Sequence, residues 1–315
     1  MSTLCRHPEL YFKDGSLVLK AGDGSGMLYN VYRGPLMIQS DFFGGMLTLP
    51  IPDHPPLSLS TNAQEYLVQA RKNGLEGSTD ETAVEIPAQF KAAEIEEFLK
   101  FLFLQGWTPA EAPALSKVCA ILKLSHFFAV DAGVEYARFN LDNNQELSRQ
   151  LGPFLRLKMG IEYHFKDWIK MAFDILATIP INTIEPEDEE LMGWPAYRAL
   201  AKAQAEVLDH RLGLAVKPPV PNHCNECHDH MWCAGQWEEA WTSLAGPLGD
   251  FIVEELAGSE IMAKLSTYRV GGMHFECFRR TCEGLKDSED GKSILRREEE
   301  IIDDAVQQLM NQLQI

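Results

Sequence analysis

The stretch Asn222–Cys233 reads NHCNECHDHMWC and packs three cysteines and three histidines between His223 and Cys233. Thiolate and imidazole are the ligands zinc takes, and Cys224-x2-Cys227 has the spacing of a zinc knuckle. The remaining ligands could come from His228, His230 or Cys233, and Cys224, Cys227, His228 and Cys233 are the candidate ligands of a structural zinc. On spacing alone Cys224 and Cys227 are its central pair. Cys277 and Cys282, in CFRRTC, are a looser second half about fifty residues on.

The same residues admit two other readings. Cys233, Trp237, Trp241 and Leu244 recur at intervals of four, four and three, which is one apolar helix face. On that face Cys233 is a small core residue, and His223, His228 and His230 belong to a polar loop ahead of the helix. Redox or nucleophilic chemistry is the third reading, and it needs a thiolate of depressed pKa. Elsewhere no HExxH, GxSxG, GxxxxGK[ST] or complete GxGxxG motif occurs. Cys119 and His126 lie on one apolar helical stretch and read as core. The expectation is a chain without catalysis of its own.

Charge narrows the partners. With 28 Lys and Arg against 46 Asp and Glu, the formal net charge is -18. Such a chain repels phosphate backbones, so direct nucleic-acid binding is not expected. The N-terminus has no apolar signal-peptide core, and no run of about 18 apolar residues offers a membrane span. Seven cysteines, an odd number, fit a reduced chain. Together these lead to the expectation of a protein inside the cell, in cytoplasm or nucleus.

The elements that must position these groups follow from periodicity. Residues 16–22 and 27–33 read as a β-hairpin around GDGSG. A helix over GPLMIQSDFFGGML follows, with Pro35 in its first turn. Residues 49–82, rich in Pro, Ser, Asn and Gly, read as a mobile surface insertion. AVEIP is a third strand. KAAEIEEFLKFLF is an amphipathic helix presenting Ile95, Phe98, Leu99, Leu102 and Phe103. Helices dominate the remainder, with a break near Gly160. The last helix carries a seam of Leu295, Ile302, Val306, Leu309 and Leu313 and is expected to dock on the helical half, the alternative being a helix offered to a partner. The predicted class is α+β. A small three-stranded sheet closed by helices occupies residues 1–143, and an α-helical region occupies residues 144–315.

The stretches FKDGSLVLKAG, MLYNVYRGPLMIQSDFFGGML, VEIPAQFKAAEIEEFLKFLF and LSKVCAILKLSHFFAVDAGVEYARFNL resemble, in that order, a BTB/POZ domain. HPELYFKDGSLVL near the start, with LRLKMGIEYHFKDWIKMAFDIL afterwards, is similar to the BTB proteins abundant in fungi. The chain departs from the family at Tyr32-Arg33, where many members have His-Arg. It departs again at Ser16, where members often carry an Asp facing that Arg. The resemblance implies a protein–protein interaction module that homodimerises through its first helix. Leu36, Met37, Phe42, Phe43 and Met46 are then the candidate interface residues. Leu36 and Phe43 also read as core, and Phe42 and Met46 lie off the core stripe. The resemblance further implies adaptor duty for a cullin-type ubiquitin ligase scaffold, or a place in a transcriptional or chromatin co-regulator complex.

Overall fold

A computed structural model describes residues 4–48, 76–104, 113–216, 218–243, 263, 270–287 and 294–315. The chain forms two compact units, 1–151 and 152–315. The division falls at Gly152, whose backbone (φ 64°, ψ 169°) breaks the helical run Gln145–Glu162.

Unit 1 is built on a mixed sheet. Strands β1 (Cys5–Tyr11), β2 (Leu17–Ala21), β3 (Met27–Val31) and β4 (Val84–Ile86) lie in the order β1-β3-β2-β4. The expected hairpin is there: β2 runs antiparallel to β3, with Leu17 opposite Val31 and Lys20 opposite Leu28. β4 pairs parallel to β2, with Leu19 opposite Val84. Both hairpin strands are buried along almost their whole length, which is why their apolar residues run on without strict alternation.

The sheet has four strands where three were expected. The fourth, β1, pairs parallel to β3 at the edge. Its signal is weak because only His7 and Leu10 turn inward and Pro8 interrupts it, a pattern suited to an edge strand. His7 stacks on Tyr29 at 5.3 Å, and its Nδ1 accepts the Leu10 N–H at 3.0 Å.

The helix expected after the hairpin is two, α1 (Arg33–Gln39) and α2 (Asp41–Thr48). Ser40 separates them in an extended conformation. Its Oγ accepts the Phe43 N–H at 3.1 Å, capping α2, and donates to the Phe128 carbonyl at 2.5 Å. Helix α3 (Ala92–Leu104) buries Ile95, Phe98 and Leu99 against the sheet, with Leu102 and Phe103 half-buried on the same core. Helices α4 (Leu115–Phe127) and α5 (Asp131–Asn143) pack so closely that a Cβ on Gly133 would stand 2.0 Å from Ser125 Oγ. Only glycine permits that approach.

Of the expected insertion, residues 49–75 lie outside the described residues. Residues 76–82 are not a free loop. The Gly77 carbonyl accepts the Val18 N–H at 2.7 Å. Asp80, in a short 3-10 turn, accepts from Arg6 at 2.7 Å and from Tyr11 Oη at 2.5 Å. The insertion's end is therefore pinned to the sheet by side chains distant in sequence.

Unit 2 is helical. Past Gly152 the run Gln145–Glu162, α6, continues to a turn at His164 (φ 60°). Gly160, the expected break, lies inside that helix. Then come α7 (Lys166–Leu176), α8 (Pro186–Met192), α9 (Trp194–Val216), α10 (His230–Ser243), α11 (Phe275–Asp287) and α12 (Ile294–Leu313). One core gathers Leu157, Ile169, Phe173, Leu200, Val306 and Leu309. Helix α12 docks on it through Ile301, Val306, Leu309 and Met310, with Ile302 and Leu313 half-buried. The side chain of Leu295 lies outside the described residues. No described helix is long and apolar enough to cross a membrane.

Candidate functional site

Unit 2 holds a second, smaller core, and cysteines dominate it. Cys224, Cys227, Cys233, Cys277 and Cys282 are buried together with Trp237, Trp241, Met273, Phe278 and Leu285. Three chain segments meet there: the turn 222–229, the start of α10 and the start of α11.

Local chemistry builds each segment. The Cys227 N–H returns to the Cys224 carbonyl at 3.2 Å, closing the turn. Asp229 caps α10: its Oδ1 accepts the Trp232 N–H at 2.8 Å, and its carbonyl accepts the Cys233 N–H. Cys233 thus sits in the first turns of α10 and Cys277 in the first turn of α11. Two helix N-termini, each favourable to negative charge, point their cysteines at one spot. The rings of Trp237 and Trp241 pack at a tilt with centroids 5.0 Å apart, and Trp237 Nε1 donates to the Pro219 carbonyl at 2.8 Å. The apolar face expected from the four-residue spacing is present. The side chain of Leu244 lies outside the described residues.

One ligand atom from each of His223, Cys227, Cys233 and Cys277 lies within 4.8 Å of every other. A second group on the same terms joins Cys224, His274 and Cys277. In it Cys224 Sγ stands 3.2 Å from His274 Nδ1 and 3.5 Å from Cys277 Sγ. The Cys224 N–H also donates to Cys277 Sγ at 3.2 Å.

Of the sequence candidates, Cys227 and Cys233 are brought together, and Cys224 stands in the neighbouring group. His228 is in neither group and is exposed. It precedes the capping Asp229 and turns outward. The imidazole inside is His223, stacked face to face on His230 at 4.5 Å. The member of the group from beyond the stretch is Cys277. Its partner in CFRRTC, Cys282, is in neither group, because five positions along a helix rotate a side chain by about 140°. The visible signal for Cys277 was its thiol; nothing local gave its placement.

Electrostatics follow burial. Burial first, then the neighbouring Cys277 and Cys227, push the Cys233 thiol up to about 11. Burial alone raises Cys119 to about 11, and burial, with Glu283 nearby, does the same for Cys282. Burial first, then the charge of His230, lower the pKa of His223. A cleft of about 840 Å³ opens beside the cluster, lined by Cys227, His228, Trp232, Cys233 and His274 among others.

The second candidate surface is the α1–α2 face of unit 1. Leu36 and Phe43 are fully buried in the sheet core, so they are not interface residues as the chain stands. Met37 and Met46 are half-buried. Phe42 is 44% exposed, and its ring lies 6.3 Å from the exposed Phe127. Ile38 is 86% exposed. The departures Tyr32-Arg33 and Ser16 also meet: Ser16 Oγ accepts the Arg33 N–H at 3.0 Å, and Tyr32 Oη donates to Asp14 at 2.9 Å.

No family model, no curated protein and no solved structure matches this chain.

Proposed function

We propose that this chain is a protein-interaction module of BTB/POZ type that self-associates through the α1–α2 face of unit 1. The observation that carries the reading is the build of that unit. A hairpin is followed by two short helices, a strand laid parallel to the hairpin's first strand, and a helix with a further helix pair. That is the order of the motifs that resemble the family. Support for the face comes from Ile38, Phe42 and Phe127, apolar side chains left in water on a strongly acidic chain. Apolar residues gathered at one place mark contact surfaces. The same face on two copies would form a two-fold interface. Adaptor duty toward a cullin-type scaffold is the use we assign to the assembled module.

Sedimentation of the full chain at micromolar concentration tests the reading. A dimer is expected, and Phe42→Asp together with Ile38→Asp is expected to yield folded monomer. A wild-type monomer would refute self-association. Affinity purification then reads the pathway. Recovery of a cullin supports the adaptor, whereas chromatin factors in its place move the module to co-regulation.

A further inference from the structure

We propose that unit 2 carries a structural zinc site whose ligands are His223, Cys227, Cys233 and Cys277, with Cys224 supporting Cys277 from outside the coordination shell. The four donors come from a turn and from two helix starts, and they already lie within 4.8 Å of one another. Tetrahedral zinc with thiolates at about 2.3 Å holds its ligands about 3.7 Å apart, so small side-chain rotations close the shell. Three thiolates and one imidazole form a ligand set that zinc favours.

Two further observations point to a ligand at this spot. His223 Nδ1 is buried and has no hydrogen-bond partner among the described residues. A buried ring nitrogen without a partner is costly, and a neutral imidazole fixed by metal removes that cost. The Cys224 N–H, meanwhile, is aimed at Cys277 Sγ at 3.2 Å, a bond that strengthens when the sulfur is a thiolate. Together with the two helix N-termini it offsets the excess negative charge of three thiolates on one zinc ion.

The site also answers a packing problem. Half of the buried residues in this small core are cysteines. Cysteine buries little area, and a core this small is of the kind that natural domains staple with metal or disulfide. The turn 222–229 and α11 are joined otherwise by the Asn222 N–H to Thr281 Oγ1 bond at 2.8 Å and the contacts of Cys224 with Cys277 and His274. A zinc ion would tie turn, α10 and α11 into one piece. The ligand set differs from the one expected on spacing: Cys224 passes to a supporting role, His223 takes the place of His228, and Cys277 joins Cys227 and Cys233.

The experiment is metal analysis of the full chain purified under reducing conditions, followed by replacement of zinc with cobalt(II). One equivalent of zinc is expected. The cobalt form should show thiolate-to-metal charge transfer and the intense visible bands of a tetrahedral site. Cys233→Ser and Cys277→Ser should lose the metal. Cys282→Ser, which alters the same core without replacing a ligand, should keep it. Cys224→Ser should also keep one equivalent with affinity close to the parent's, because it retains the backbone N–H that faces Cys277 Sγ. Ligand variants can fail to fold, so the wild-type stoichiometry and cobalt spectrum decide first. Zinc well below one equivalent, with no cobalt charge-transfer band, overturns the site. Loss of metal in Cys224→Ser with retention in Cys233→Ser overturns the ligand assignment.

Discussion

Arg211 on α9 and Glu298 on α12, eighty-seven positions apart, meet as a two-pronged ion pair. Arg211 Nε donates to Oε1 at 2.7 Å and Nη2 to Oε2 at 2.9 Å. Both side chains are close to fully buried, at 13% and 9% exposure. The pair holds the final helix in register on the core that Val306 and Leu309 enter. Removing one partner would leave the other charge buried and uncompensated.

Glu298→Ala is therefore expected to destabilise unit 2 by about 3–5 kcal/mol and to free α12 for proteolysis. Denaturant unfolding and limited digestion measure the two effects. The double variant Arg211→Met with Glu298→Leu should recover most of the loss, because apolar residues of similar volume replace a buried ion pair at little cost. If Glu298→Ala unfolds like the parent, the docking of α12 does not depend on this pair.

Gly77 closes the sheet end of the segment read as an insertion. Its φ is +78°, and a Cβ there would stand 2.4 Å from Leu17 Cδ1. Gly77→Ala combines left-handed backbone strain with a clash against the core, and each is worth about 1–3 kcal/mol. A fall in melting temperature is expected. Deletions within 49–75 that spare Glu76 and Gly77 are expected to cost much less, since loop closure depends weakly on length. Equal losses from both changes would show that Gly77 has no special place.

Ser40 is the third test. Its hydroxyl caps α2 and reaches the Phe128 carbonyl, joining α1–α2 to the end of α4 at a site that is 1% exposed. Ser40→Ala leaves that carbonyl and the Phe43 N–H without these partners, at a cost of about 1–3 kcal/mol. Urea unfolding should report the loss. Ser40→Thr, which keeps the oxygen, should lose less than Ser40→Ala. The opposite order would mean that packing at this point outweighs the two hydrogen bonds.

The sequence determined what periodicity and short spacing can carry. The hairpin, the strand at Val84, the face of Ile95, Phe98 and Leu99, the docking of the last helix and the tryptophan face of α10 were all legible. Each is set by neighbours within a few residues, where propensity and apolar pattern act together. Strand β1 was not legible, because an edge strand with two inward residues leaves no alternation to read. The break at Ser40 was not legible either, since the hydroxyl that caps α2 is itself held by the Phe128 carbonyl, eighty-eight positions away.

At the Cys/His cluster the division is sharper. Composition alone announced thiols and imidazoles in numbers that suit a metal, and the knuckle turn Cys224-x2-Cys227 could be seen in four residues. Tertiary structure alone decided which of them converge. His223 turned inward and His228 outward around the capped start of α10, and α11 arrived from fifty residues on to bring Cys277 and turn Cys282 aside. The reason is geometric. A ligand set is a meeting of points in space, and once donors come from separate segments, their spacing along the chain no longer records their distance.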